Sequence, residues 1–411
     1  MDNKDGLVVN IFERSGVIID TVCPAVWNHL CVNTNGKNRL CCNSVTRPND
    51  GFLENYQEHW NNYRDGIKKQ MIAGIKPDAC VSCWNKEELG IESYREHMIS
   101  KYKDREEWDS FLNNINVTKQ YPTELDLKLG NHCNLSCRMC SSYSSSKYQS
   151  EFKKIYSETG IDYGINDHEK NYVQHNWYET DEFYKLFVDI VENGLVELKF
   201  TGGEPLIVPN VKKAIDYICS AGKAKDIYLS VITNATKINI EWINKFLQFI
   251  HTNIIVSIDG VEDTYEYIRY PTRWNQINDN LTLLSKHKQY KLGCTITFTL
   301  QNYNILQAEK MINLHRRLGF DLSAIPLDTP TYLDVRNAPE LLKEDALRII
   351  ENIIVEDEQE KTFINTFKKK IKQTPLDDYI YLQKHLVDIS LLKDPYRNQD
   401  FTKTEIYKYY C

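Results

Sequence analysis

The sequence predicts an α/β protein in which repeated βα units build a parallel sheet, with a small cysteine-rich domain before it and a helical extension after it. Three observations predict this. From about residue 121, short β-rich runs alternate with longer amphipathic segments, the pattern of parallel strands joined by helices. The first hundred residues are instead rich in Cys, Asn and Gly, and residues 339–392 read as amphipathic helices. The expected boundaries are 1–91 for the cysteine-rich domain, 92–120 for a helical linker, 121–335 for the βα region and 336–411 for the extension.

Taken in order, "WNHLCVN" and "NGKNRLCC" are strand-like pieces around "NTNGKN", a hairpin signal. A domain this small has little core and is expected to be held by a metal. The next strands are "ELDLKL" (124–129), "VELKFT" (196–201), "IYLSVIT" (227–233), "NIIVSID" (253–259), "CTITFTL" (294–300) and "DLSAIPL" (321–327). Between them "NVKKAIDYICSAG", "NIEWINKFLQFI" and "AEKMINLHRRLGF" place apolar residues at helical spacing. Such connections leave the C-terminal strand ends on one face, where ligands bind in α/β sheets and barrels. Residues 159–179 have no clean period and exceed a usual βα connection, so they read either as a substrate lid carrying His168, His175 and Trp177 or as a solvated insertion.

Of the 411 residues 42% are hydrophobic and 26% charged, the composition of a folded soluble protein. No apolar run approaches membrane-spanning length, and "MDNKDGLVVNIFERSG" lacks the pattern of a secretion signal, so the expected location is the cytoplasm with no membrane partner. A formal net charge of -7 argues against general nucleic-acid binding. Twelve cysteines in a reducing compartment point to metal or redox chemistry rather than disulfides. Cys219 and Cys294 lie on apolar faces and read as core, and Cys411 reads as part of a tail.

Cys133, Cys137 and Cys140 follow a predicted strand with the spacing C-x3-C-x2-C in "LGNHCNLSCRMC". An iron–sulfur cube needs one ligand for each of four irons, so three thiolates leave one iron open. The residues alone leave open a structural zinc site that borrows His132, or three unrelated thiols. One strand later "FTGGEPLI" offers Gly202 and Gly203, over which a ligand can approach the backbone, and Glu204, which can accept hydrogen bonds from an ammonium group.

"CNLSCRMC" and "FTGGEPLI", at consecutive strand ends and in that order, resemble the signature pair of the radical S-adenosylmethionine (SAM) enzymes. The resemblance covers about residues 121–330 and implies a partial (β/α)6 TIM-like barrel. It implies that Cys133, Cys137 and Cys140 hold a SAM-binding [4Fe-4S] cluster, and that an electron from it cleaves SAM to a hydrogen-abstracting 5′-deoxyadenosyl radical. "GGE" would contact the methionine amino group of SAM, Ser257 and Asp259 in "VSIDGVEDTYEYIR" the ribose, and Arg269 the SAM carboxylate. Thr233 and Asn234 in "ITNATKI" would lie near SAM, although Ala235 stands where the family commonly has glycine. Met139 stands where an aromatic often covers the adenine, and its adaptable side chain suits the same task.

The N-terminal cysteines are spaced C-x12-G-x4-C for Cys23, Gly36 and Cys41, then C-x2-C for Cys80 and Cys83. A turn at Gly36 would bring Cys23 near Cys41, and a closed four-thiolate site could take zinc as well as iron. Cys31 and Cys42 are rivals for these roles. The pattern resembles the auxiliary-cluster domain called twitch, the shorter relative of SPASM, although here it precedes the barrel. That resemblance implies a second, auxiliary [4Fe-4S] cluster that accepts an electron. The expectation is an oxidoreductase acting on a peptide or a small molecule such as an amino sugar, supplied with electrons by a flavodoxin or ferredoxin. Alternatives are an epimerase, a carbon–carbon bond-forming maturase, or a zinc-binding module without catalysis.

Overall fold

The hairpin forms where the turn signal lies. Strand β1 (His29–Val32) pairs antiparallel with β2 (Asn38–Arg39), and Gly36 between them takes a φ of +79°, a conformation that suits a residue without a side chain. The computed structural model describes residues 19–45, 56–88, 90, 92–117, 120–164 and 172–411. They fall into two compact units, one from Met1–Gly130 and His175–Lys199, the other from Asn131–Gln174 and Phe200–Cys411. The fold is α/β with a mostly parallel sheet and a helical C-terminus.

In the first unit β1 also pairs in parallel with β3 (Glu124–Lys128), with Cys31 opposite Asp126, so the order is β2-β1-β3. The helix Tyr94–Asp104 starts at a capping box between Ser93 and Glu96, which satisfies two backbone donors at once. This helix and Trp108–Asn113 supply Met98, Tyr102, Trp108 and Leu112 to a core that also holds Trp27, Met71 and Trp84. Each such side chain contributes about 1.5–3 kcal/mol when buried. The core is therefore larger than the cysteine-rich composition suggests, because its apolar residues arrive from helices dispersed along the chain. Trp27 Nε1 donates to Ile115 O at 2.8 Å and fastens the start of this unit to its later helices.

Strand β4 (Glu197–Thr201) crosses from the first unit's residues to the second's. In the second unit β5 (Tyr228–Thr233), β6 (His251–Ser257), β7 (Leu292–Leu300) and β8 (Asp321–Pro326) lie parallel in chain order. Alternation along β7 is complete: Leu292, Cys294, Ile296, Phe298 and Leu300 are buried, while Gly293, Thr295, Thr297 and Thr299 are half-buried. Phe298 packs on Phe363 and Phe367 of the helix Glu358–Ile371, so part of the helical extension covers the apolar face. Cys294 is core, as its pattern predicts. Cys219 is instead half-buried, because Val211, Ala214, Ile215 and Ile218 form the apolar stripe of the helix Pro209–Ser220 and position 219 lies on its flank. Cys411 is exposed. Among the described residues no helix is long and apolar enough to cross a membrane.

Candidate functional site

The three-cysteine loop lies between β3 and the helix Ser146–Thr159. The serine run after the cysteines caps that helix: Ser145 Oγ accepts from Tyr148 N at 3.0 Å and donates to Leu135 O at 2.5 Å. Ser146 Oγ accepts from Cys133 N at 3.2 Å, and fully buried Asn131 donates through Nδ2 to Ser142 O at 2.7 Å. Cap and loop thus form one bonded piece.

The glycine pair meets this loop closely. A Cβ on Gly203 would lie 2.2 Å from His132 O, and Glu204 N donates to the same oxygen at 2.8 Å. Only a residue without a side chain lets the two segments touch here. Gly202 has a φ of +112°. Glu204 is fully buried, and its carboxylate accepts from Thr233 Oγ1 at 2.7 Å, Asn234 N at 2.6 Å and Leu206 N at 3.1 Å. Its oxygens therefore hold the strand ends rather than stand free for an ammonium group. Burial pushes its pKa up against these donors.

Asn134, between two of the cysteines, accepts from Asn234 Nδ2 and donates to Thr236 Oγ1, both at 2.9 Å. These bonds tie the cysteine loop to the "TNAT" turn, in which Ala235 takes a φ of +61°. A glycine would take this conformation without strain.

Arg269 reaches one of the thiols, that of Cys137. Its Nε and Nη2 donate to Asp259 Oδ2 at 2.8 and 2.7 Å, and Nη1 lies 3.9 Å from Cys137 Sγ. Asp259 Oδ1 accepts from Thr299 N at 2.8 Å, so the carboxylate expected to face a ribose is occupied in orienting Arg269. Ser257 is half-buried at the end of β6 opposite Thr297, and Met139 is half-buried beside Cys140.

Burial and then the neighbouring Cys137 push the Cys133 thiol up to about 12. Cys140 is raised by burial and then by Cys137 and Cys133, while Cys137 is raised by burial with Arg269 pulling the other way. Three thiols on one short loop, two of them raised by their neighbours, are a donor set suited to an iron–sulfur cluster, whose irons would displace the protons.

In the first unit Cys23, Cys41, Cys80 and Cys83 line one small enclosed cavity with Tyr94 and Arg95. Cys23 precedes the helix Pro24–Asn28, Cys80 ends the turn Asp78–Cys80, and Cys83 lies in the helix Val81–Glu88. Burial raises Cys23 and Cys41 strongly and Cys80 to about 12, each with further contributions from others of the four. Cys31 and Cys42 are held near Asp126 instead, after burial the next influence on both thiols.

One residue that spacing does not reveal organises this cavity. Arg64, fully buried and 4.5 Å over the Trp60 ring, donates to Ala25 O, Val26 O, Arg39 O and Leu40 O. These carbonyls flank the segments bearing Cys23 and Cys41. Of the segment read as a lid, Trp177 lies against Gly36 and donates through Nε1 to Thr34 O at 3.2 Å, and exposed His175 joins Trp177 on a cavity of about 1180 Å³ in the first unit. His168 lies outside the described residues.

The sequence profile described as "Radical SAM superfamily" matches residues 127–315. An uncharacterized protein of Methanocaldococcus jannaschii is 25% identical over 265 residues, covering 63% of this chain and 78% of that protein. The GTP 3′,8-cyclase of Syntrophomonas wolfei is 30% identical over 110 residues, 27% of this chain and 26% of the cyclase. Among solved structures, SuiB of Streptococcus suis aligns at 13% identity over 86% of this chain and 76% of its own, with a TM-score of 0.35. The protein anSMEcpe with bound AdoMet aligns at 16% identity over 55% of this chain and 57% of its own, with a TM-score of 0.36. The match to the Radical SAM superfamily spans residues 127–315, which carry the three cysteines, the glycine pair and Arg269.

Proposed function

We propose that the protein is a radical SAM oxidoreductase with two [4Fe-4S] clusters, one on Cys133, Cys137 and Cys140 and an auxiliary one on Cys23, Cys41, Cys80 and Cys83 in a twitch-like domain. When bound, the first cluster supplies the electron that cleaves SAM to a hydrogen-abstracting 5′-deoxyadenosyl radical, and the second offers an acceptor for the electron left on the substrate. The chain's own residues bind and orient. The backbone of Gly202 and Gly203 meets the methionine end of SAM, and Arg269, held by Asp259, pairs with its carboxylate. Glu204, Thr233 and Asn234 fix the strand ends behind that contact. Ser257 serves the ribose and Met139 covers the adenine. The substrate is a peptide side chain or a small molecule such as an amino sugar, the reductant is a flavodoxin or ferredoxin, and the compartment is the cytoplasm.

The observation that carries this reading is Arg269, aimed by Asp259, lying 3.9 Å from Cys137 Sγ in the short loop that bears all three cysteines. Anaerobic reconstitution tests it. About eight irons per chain are expected from two cubes, and dithionite with SAM should release 5′-deoxyadenosine. Cys133→Ala should abolish cleavage, whereas Cys80→Ala should spare some cleavage while stopping turnover. Zinc in both sites with no cleavage of SAM would overturn the reading.

A further inference from the structure

The helical extension reaches the three-cysteine loop through charged side chains. Arg397, at the end of the helix Tyr379–Arg397, donates to Ser136 O at 2.7 Å and Ser136 Oγ at 3.0 Å. Asp394, one turn earlier, accepts from Arg138 Nη2 at 2.5 Å. Ser136 and Arg138 are the two neighbours of Cys137, so each bond acts one residue from a proposed ligand. On its other side the loop is held by backbone: Ser136 N donates to Tyr270 O at 2.8 Å and Arg138 N to Ile268 O at 2.9 Å. The segment carrying Arg269 and the C-terminal helix therefore grip the same three residues.

The charges on this helix are unequal. Lys393 and Arg397 have fully buried side chains and share one carboxylate, Glu151, at 3.8 and 2.6 Å. Lys393 Nζ makes no hydrogen bond among the described residues and lies over the rings of Tyr148 and Tyr163 at 4.6 and 4.7 Å. With Arg138 there are three basic side chains against the two carboxylates of Glu151 and Asp394. Buried charge needs a counter-charge, and three ionised thiolates would supply one. Burial and then Arg397 push Lys393 well below the ordinary lysine range, with Glu151 and, more weakly, Cys140 pulling the other way, so added negative charge at the loop would favour its charged form.

Resting on the reading that Cys133, Cys137 and Cys140 hold a cluster, we propose that Arg138, Lys393, Asp394 and Arg397 are positioning residues that fix this loop and set the cluster's reduction potential. The C-terminal helix thereby becomes part of the redox site. Reductive titration of the reconstituted full chain, followed by the paramagnetic signal that responds to added SAM, tests this.

Lys393→Met removes a buried basic group that thiolates nearby would keep charged, and should make reduction about tenfold less favourable, about 59 mV for one electron. Asp394→Asn removes an anion and should shift the potential the opposite way, and Lys393→Arg should restore it. A merely structural role would not produce shifts of opposite sign. Loss of iron from a variant whose melting temperature is unchanged also supports the assignment. Unchanged potentials, or shifts of one sign, with iron retained overturn this inference alone. Iron content unaffected by Cys133→Ala overturns the cluster reading and this inference with it.

Discussion

Arg269 touches Cys137 with one nitrogen while its other two hold Asp259: Nη1 lies 3.9 Å from Sγ, and Nε and Nη2 donate to Asp259 Oδ2 at 2.8 and 2.7 Å. The guanidinium is aimed by a carboxylate that Thr299 N fixes in turn. Asp259→Asn should therefore weaken SAM binding at least about tenfold, 1.4 kcal/mol, without changing the iron content. Because one partner of a buried pair is lost, it should also lower stability by about 3–5 kcal/mol. Anaerobic calorimetry with SAM and chemical unfolding measure the two effects separately. Arg269→Lys should not rescue, since an ammonium group lacks the fork.

Gly203→Ala places a methyl group 2.2 Å from His132 O, and the atom it meets is backbone. Overpacking of this kind costs about 1–3 kcal/mol, and the upper end is expected because neither segment can give way alone. Thermal unfolding gives the cost, and the iron content of the variant should fall with it. A stable variant with full iron content would show that the close approach is dispensable.

Ala235 presents the opposite case. Its φ of +61° strains any residue with a Cβ, by about 1–2 kcal/mol. Ala235→Gly relieves that strain and gives back part of the gain as chain entropy, so a net stabilisation of about 0.5–1 kcal/mol is expected. Ala235→Val should destabilise. The pair of melting temperatures checks the sign of both.

Acid should loosen the first unit through Glu124. Burial opposes its ionisation, but His29 and Lys101 outweigh it and hold the carboxyl at about 2, down from an ordinary 4.5. Lys101 Nζ lies 3.2 Å and His29 Nδ1 3.4 Å from Oε2, and Tyr102 OH donates to Oε1 at 3.0 Å. With the folded pKa below the unfolded one, the stabilisation is full above about pH 4.5 and is lost as pH falls through about 2, at about 1.4 kcal/mol per unit. Denaturant midpoints across this window should fall in the wild type and show a shallower dependence in Glu124→Gln.

Local patterns were readable and distant partners were not. The βα strands declare themselves by alternation, and the cysteine loop by spacing within eight residues. The hairpin at Gly36 was visible, but not that β1 also pairs with β3, because a parallel neighbour leaves no local mark. Glu204 and Asp259 were found by motif, yet periodicity could not tell that both turn to protein donors. Asn134 was within sight in "CNLSC"; Arg138 with Asp394 was not, since 256 residues separate the pair. Arg64 carried no signal at all, because its partners are backbone carbonyls.

The four carbonyls that Arg64 gathers have a consequence for how the proposed auxiliary cluster would enter the first unit. Burial lowers the Arg64 pKa only to about 10, so the guanidinium is charged at neutral pH and tethers the Cys23 and Cys41 segments whether or not anything is bound between them. Together with the tryptophan-rich core, this would make loading of the proposed site a filling of a mould already cast rather than the casting of it.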